Sequence, residues 1–391
     1  MFPNLSDLVN YFFHTQLILP FPTFGFFMFL SFMVAYYVFQ AELKRKESLG
    51  ILHKQKFTQI VGEPAGPWEI LLNGVFGFFI GFKIPFIIFH YVEFASDPPK
   101  FIGSWNGNWW FGLIIALVFG FWAYYEKNKD KLPEPKREEY ELWPHELMGN
   151  TALYAAGFGI IGAKLFDNLE HWDSFIRDPI GNTFSTSGLT FYGGLIFGGI
   201  AVLWYMNKNG VKPLTMLDIG APGMMIAYSV GRIGCQLSGD GDWGIPNLNP
   251  KPGILSWLPD WVWSFNFPNN VENEDPETFI PGCIGQHCHF LKQGVYPTSF
   301  YETIICFLLF LVIWSLRKRI KIPGILFCIY LVLNGTERFL IELIRVNSKY
   351  HLWGLAFTQA ELIALTLILV GFLGSIWIFK NPNTAQKSNK N

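Results

Sequence analysis

Apolar residues in this chain gather into runs of about 20, the length a helix needs to cross the hydrocarbon of a bilayer. Nine such runs begin near Phe21, Ile70, Asn108, Gly149, Leu189, Leu214, Phe300, Ile325 and Phe357. The polar stretches between them alternate in character. "AELKRKESLGILHKQK", "EKNKDKLPEPKREE", "NKNGVKP" and "LRKRIKIPG" are basic, whereas "FASDPPKFIGSWNGN" and "FDNLEHWDSFIRDPIGNTF" are not. By the positive-inside rule the basic set faces the cytoplasm. Nine crossings then put the N-terminus outside and the lysine-bearing tail "KNPNTAQKSNKN" inside. The pattern predicts an all-α polytopic membrane protein of about nine transmembrane helices.

Composition agrees: 51% hydrophobic, 18% aromatic and 15% charged residues are too apolar and too aromatic for an ordinary soluble chain of 391 residues. A net charge of −1 and the lack of a basic tract exclude nucleic acid as a partner. The first apolar run has no basic n-region and no small-residue cleavage site, so it is expected to remain as a helix. One long loop, Ser238 to Pro297, falls on the outer side and is rich in Trp, Pro, Asn and Asp, which predicts a small extracytoplasmic cap. Four parts follow: 1–145 with helices one to three, 146–237 with helices four to six, the cap 238–297, and 298–391 with helices seven to nine and the tail.

Within the cap, Cys283 and Cys288 of "GCIGQHCHF" face an oxidising compartment and are expected to pair as a disulfide. The rival reading, metal ligation with His287 and His289, matches no standard zinc spacing. Cys306 and Cys328 lie inside helices as packing residues. A weak repeat also shows. "VFGFFIGFK" (Val75 to Lys83) resembles "GFGIIGAK" (Gly157 to Lys164), and "VAYYVFQAELKRK" resembles "GFWAYYEKNKDK". This points to helices one and two duplicated as three and four, with convergent small-residue packing as the plain alternative.

The polar residues of the second half carry the chemistry. In "NGTERFLIELIRVN", Arg338, Glu342 and Arg345 are spaced i, i+4, i+7 and share one stripe of a helix. A structural ion network is one reading. The surplus positive charge, repeated by Arg232 in "YSVGRIGCQLSGDGDWG", favours an anion site, and phosphate is the anion found at headgroup depth. "STSGLTFYGGLIFGG" places Tyr192 at the rim of a groove made by Gly193, Gly194, Gly198 and Gly199. Glycines in a membrane helix most often serve helix contacts. In "GVYPTSFYET", Pro297 precedes a helix start, Thr298 or Ser299 is placed to cap it, and Tyr301 and Glu302 fall in its first turn.

Together these blocks resemble the bacterial phosphatidylglycerol:prolipoprotein diacylglyceryl transferases. "GRIG" at Gly231 to Gly234, with a downstream acid and "WG" at Trp243 to Gly244, is similar to that family's signature. "FYGGLI" is similar to its His-Gly-Gly-Leu block, "YPTSFYE" to its His-Pro-Ser-Gln-Leu-Tyr-Glu block, and "ERFLIELIR" to its Arg-Phe-x-x-Glu-x-x-Arg block. "LDIGAP" and "GLAFTQ" fit as well. The resemblance runs from about Gly157 to Ala364. The family has seven helices, which makes helices two and three an inserted pair.

The resemblance implies transfer of the diacylglyceryl group of phosphatidylglycerol to the lipobox cysteine of a prolipoprotein signal peptide, with release of glycerol 1-phosphate. It implies a place in the bacterial cytoplasmic (inner) membrane and needs neither metal nor cofactor. By position, Arg338 is the arginine central to catalysis, with Tyr192 where the family has a candidate base. Arg232 binds headgroup or phosphate, and Glu342 and Arg345 orient it. Gly193, Gly194, Asp240, Tyr301 and Glu302 complete the substrate site. The sequence departs from the family in four places: Tyr192 stands for His, Cys235 for Asn, Asp240 for Glu with an extra residue after it, and Phe24 for Tyr. Two other readings stay open, a lipid-binding homologue serving as a membrane subunit among partner proteins, and a transporter of anionic lipid.

Overall fold

The computed structural model describes the chain except residues 20, 97, 186–187, 284–285, 348–349, 353–354 and 382–391. Most of the tail expected to face the cytoplasm therefore lies outside the described residues. The protein is mostly helical. Its helices are α1 (Leu5–Phe13), α2 (Thr23–Ser48), α3 (Pro67–Phe89), the short α4 (Tyr91–Ser96) and α5 (Pro98–Gly103), α6 (Trp109–Lys129), α7 (Met148–Glu170), the short α8 (Trp172–Arg177) and α9 (Pro179–Phe184), α10 (Phe191–Lys208), α11 (Pro213–Ser238), α12 (Thr298–Leu316), α13 (Ile325–Glu342) and α14 (Gln359–Lys380). Two antiparallel pairs join strands β1 (Gln55–Val61) with β2 (Lys136–Leu142) and β3 (Tyr350–Leu352) with β4 (Leu355–Phe357).

Among the described residues nine helices reach eighteen residues or more, and five of them, α2, α3, α6, α12 and α14, are both long and apolar enough to cross a bilayer. This is a multi-pass membrane protein. Large apolar side chains along these helices, such as Phe29 and Phe32 on α2 or Leu369 and Leu373 on α14, are exposed outward, where lipid rather than water satisfies them.

The chain forms two compact units. One comprises 1–52, 150–152 and 201–391, the other 53–149 and 153–200. In the first, α11 packs against α2, α12 and α13, and α13 against α14. Ala221, Met225, Cys306, Ile313 and Leu326 form its dry core. The buried Asp218 of "LDIGAP" ties α11 to the start of α13 by accepting hydrogen bonds from the backbone N–H of Gly324 (2.8 Å) and Phe327 (2.9 Å). Those first-turn donors have no partner within their own helix. Asp218→Ala is therefore expected to lower stability by about 1 to 2 kcal/mol, as loss of a helix cap does. Asp218→Asn, which keeps an acceptor oxygen, should cost less. Equal melting temperatures for both variants and wild type would rule the cap out.

In the second unit α3 packs on α6, and two helix-loop-helix elements repeat each other. Lys83, at the end of the first glycine-rich stretch, donates to the carbonyls of Phe101 (3.0 Å) and Asn106 (2.9 Å) in the loop that follows. Lys164 donates to Ser185 Oγ (2.8 Å) and the Gly188 carbonyl (3.2 Å) in its own loop. Asn108 N bonds the Phe82 carbonyl, and Thr190 N the Ala163 carbonyl. An added Cβ on Gly81 would overlap the Phe111 carbonyl, and one on Gly162 the Gly193 carbonyl, so the same close backbone approach recurs. The repeat thus relates α3 through α6 to α7 through α10. This corrects the expectation of a first and second helix duplicated as third and fourth. The basic stretches that suggested it are ordinary flanks of membrane helices, whereas the lysine and glycine contacts are specific.

The long connection 239–297 is ordered by short 3₁₀ turns and by isolated bridges, among them Gly244 to Arg345, Pro246 to Val295 and Phe279 to His289. Asn270 and Asn273 hold it from inside, through hydrogen bonds to the carbonyls of Phe267 (2.8 Å) and Phe290 (2.7 Å). Cys283 and Cys288 are joined as a disulfide, with their Cα atoms 5.7 Å apart.

Candidate active site

Four elements of the first unit bring charge to one place. Arg232 stands in the last two turns of α11, Asp242 just beyond that helix, Glu302 in the second turn of α12, and Arg338 and Glu342 in the last two turns of α13. Arg345 lies three residues past the end of α13, in a bridge with Gly244. It was expected on the helical stripe. The helix stops at Glu342, yet the turn that follows still delivers the guanidinium.

Glu302 is fully buried at the centre. Its carboxylate meets Arg232 Nε at 2.8 Å, Arg338 at 3.0 Å and Arg345 at 3.8 Å, and accepts a hydrogen bond from the Tyr228 hydroxyl at 3.1 Å. Arg338 divides its fork, one terminal nitrogen on Glu302 and the other 3.3 Å from Glu342. Asp242 bridges Arg232 and Arg345 through its two oxygens. Asn347 donates to Glu342 at 2.5 Å and fixes its other oxygen.

Counted on the stripe of α13 alone, positive charge is in surplus. The structure supplies Glu302 and Asp242 from other elements, so the three guanidiniums are matched by Asp242, Glu302 and Glu342. Balance is what a buried ion network requires, since a lone charge in that setting costs several kcal/mol. Thr298 and Ser299 do not cap α12. Both hydroxyls donate at 2.8 Å to the carbonyl of Asp242 and hold that residue against the helix start. Tyr301 points to the long connection instead of the arginines, donating to the Val262 carbonyl at 2.6 Å.

Asp240 and Asp242 respond differently to burial, which raises both. Beside Asp242 the charges of Arg232 and Arg345 outweigh it and hold the carboxyl below the usual carboxylate range. Asp240, with Asp242 as neighbour, stays above that range. Its side chain lies next to the Cys235 thiol. Cys235, Asp240 and Asp242 are close enough to share a cation. The two guanidiniums on Asp242 would repel one.

Three participants escaped the sequence reading. Asp242, two residues beyond Asp240 in "GDGDWG", carries the bridge between Arg232 and Arg345, and the doubled acid in that stretch was its available signal. Tyr228, one turn before Arg232, also lies within 3.4 Å of that guanidinium. Glu337 is buried beside Glu302 and the Cys306 thiol, and neither of its oxygens has a nitrogen or oxygen donor among the described residues. Its place next to Arg338 on the helix gave no hint of this.

Tyr192, Gly193 and Gly194 belong to the second unit. There Tyr192 is partly exposed at the start of α10, Gly193 lies against the backbone of Gly162, and Gly194 against that of Gly159. Both glycines thus let α10 approach α7.

The prolipoprotein diacylglyceryl transferase family model matches residues 109–377, more than half of the chain. The chain belongs to this family. The match contains every member of the arginine network. Proteins named phosphatidylglycerol–prolipoprotein diacylglyceryl transferase are similar to it. One from Leptospira interrogans is 27% identical over 353 residues, covering 75% of this chain and 98% of its own length. One from Streptococcus agalactiae is 29% identical over 229 residues, covering 58% and 77%. A third, from Campylobacter hominis, is 25% identical over 294 residues, covering 72% and 91%. As a member of the transferase family, the chain is an enzyme of lipoprotein biosynthesis.

Proposed function

We propose that this chain moves the diacylglyceryl group of phosphatidylglycerol onto the cysteine thiol of a prolipoprotein. The family match over 109–377 carries this reading. In the transfer a C–S bond forms at the glyceryl carbon while the C–O bond to phosphate breaks. Glycerol 1-phosphate leaves with the bonding pair, and the thiol proton must go to a base or to the departing phosphate. Such a step needs fixed positive charge where the phosphate departs and a route to thiolate.

Arg338 and Arg232 take the phosphate role. Each guanidinium has five N–H donors in a rigid fork, more than its contacts among the described residues occupy. Glu302, Glu342, Asp242 and Arg345 act as positioning residues that hold those forks. Tyr192 takes the role of orienting the thiol through a hydrogen bond rather than removing its proton. Asp240 borders the substrate in this reading, whereas Gly193 and Gly194 serve the approach of α10 to α7 and Tyr301 holds the long connection. The enzyme crosses the bacterial cytoplasmic membrane nine times with its N-terminus outside. Its parts are 1–145, 146–237, 298–391 and an extracytoplasmic cap, 238–297.

The test is incubation of purified protein with phosphatidylglycerol and a lipobox peptide, following thioether product and free glycerol 1-phosphate. Tyr192→Phe should lower the rate less than about tenfold, the scale of one neutral hydrogen bond, while Tyr192→His should raise it or move the pH optimum toward neutrality. Replacement of the family histidine by Tyr192 favours a second reading, a lipid-binding subunit without transferase activity. If wild type and Tyr192→His bind phosphatidylglycerol yet form neither product, that second reading is correct.

A further inference from the structure

The long connection carries a surface that neither its own packing nor the transfer reaction uses. Between Ile245 and Trp261, Leu248 is 77% exposed, Ile254 83% and Trp257 77%. This is not a loose loop. Lys251 Nζ donates to the Leu258 carbonyl (2.8 Å) and pairs with Asp260 (2.5 Å), Trp263 Nε1 donates to the Asn249 carbonyl (2.9 Å), and two 3₁₀ turns stiffen the path. Leu255, Leu258 and the adjoining Val262 line a half-open apolar cavity of about 450 Å³ together with Tyr296, Tyr301 and Ile344. Ile254 and Trp257 are not part of that lining and stand exposed on the frame. Exposed apolar side chains grouped on one braced stretch mark a site of interaction.

Its level relative to the bilayer follows from what it is tied to. The Tyr301 hydroxyl bonds the Val262 carbonyl at 2.6 Å, and the Trp261 ring lies 4.9 Å from that of Phe300. Phe300 and Tyr301 are in the first turn of α12, a helix apolar enough to span. The patch therefore sits at the mouth of a membrane helix, at the depth where tryptophan is favoured. A second aromatic cluster marks the same end of this unit. Tyr11, Phe12 and Phe13 of α1 are exposed, and the N-terminus before them is pinned by Phe2 N to the Leu237 carbonyl in the last turn of α11 and by Met1 to Pro268.

We propose that the segment 245–261 inserts Ile254 and Trp257 into the headgroup and upper acyl region of the bilayer, so that the long connection rests on the membrane. The frame is tied to the first turn of α12 through Val262 and Trp261, and its two charges, Lys251 and Asp260, neutralise each other. The occupant is thus a lipid surface of any headgroup charge, held by apolar contact alone. Because the free cysteines among the described residues are buried, a nitroxide can be placed at a single new thiol. Ile254→Cys, Trp257→Cys and the aqueous reference Glu277→Cys are labelled in full-length protein and reconstituted into vesicles of phosphatidylcholine, with or without phosphatidylglycerol. Labels at 254 and 257 should lose broadening by a water-soluble nickel chelate and gain broadening by oxygen, in both lipids, while the label at 277 shows the reverse. Nickel access at 254 and 257 equal to that at 277 would overturn the proposal and assign the patch to a partner in solution. Protection seen only with phosphatidylglycerol would overturn apolar anchoring in favour of a charge-driven contact.

Discussion

Arg338→Lys should reduce transfer nearly as much as Arg338→Ala, by about ten- to 150-fold, the equivalent of one charge-assisted hydrogen bond of about 1.5 to 3 kcal/mol. Lysine keeps the charge, so a purely electrostatic role would predict near-normal activity. The geometry says otherwise. Arg338 spans two carboxylates with two different nitrogens, Glu302 at 3.0 Å and Glu342 at 3.3 Å. A single ammonium cannot keep that spacing and also face a phosphate with a planar fork. The measurement is the initial rate of thioether formation for both variants, alongside melting temperatures in detergent. A lysine variant that folds and works like wild type would remove Arg338 from phosphate recognition.

Glu302→Ala should be the most destabilising single change in the network. The residue is fully buried and neutralises Arg232, Arg338 and Arg345 together. Removing one partner of a buried pair costs about 3 to 5 kcal/mol because charge is left uncompensated. Glu302→Gln, which still accepts from the Tyr228 hydroxyl, should fall between alanine and wild type. Adding Arg338→Ala to Glu302→Ala should cost less than the sum of the two, since the second change removes one stranded guanidinium. Strict additivity in thermal or denaturant unfolding would show that the two residues do not share an interaction.

What could be read from the sequence, and what could not, divides along physical lines. Apolar run lengths report helices well: the run expected from Ile325 is where α13 begins, and that expected from Asn108 starts at a residue whose side chain caps α6 by accepting from Phe111 N. Hydropathy is blind to six-residue turns, so α4, α5, α8 and α9 went unforeseen, as did the polar ladder of β1 and β2. In the site, the arginines were legible because charge is rare in apolar stretches. Glu342 was legible with them, on the stripe of Arg338, but the counter-charges from other elements were not. Glu302 read as a first-turn carboxylate and, through the resemblance, as a substrate contact, and choosing Asp242 over Asp240 depends on how the backbone turns after Gly239, which adopts a left-handed conformation at φ 68°. Spacing along one helix cannot register a carboxylate contributed by another.

The ladder between β1 and β2 bears on how such a chain could have grown. Gln55 pairs with Leu142 and Val61 with Lys136, so the points where the chain departs toward α3 and returns from α6 are neighbours. Everything from residue 62 to 135 is a cassette hung on one hinge-like stem. Because its two ends meet, a change in its length would leave every connection outside the stem unstretched.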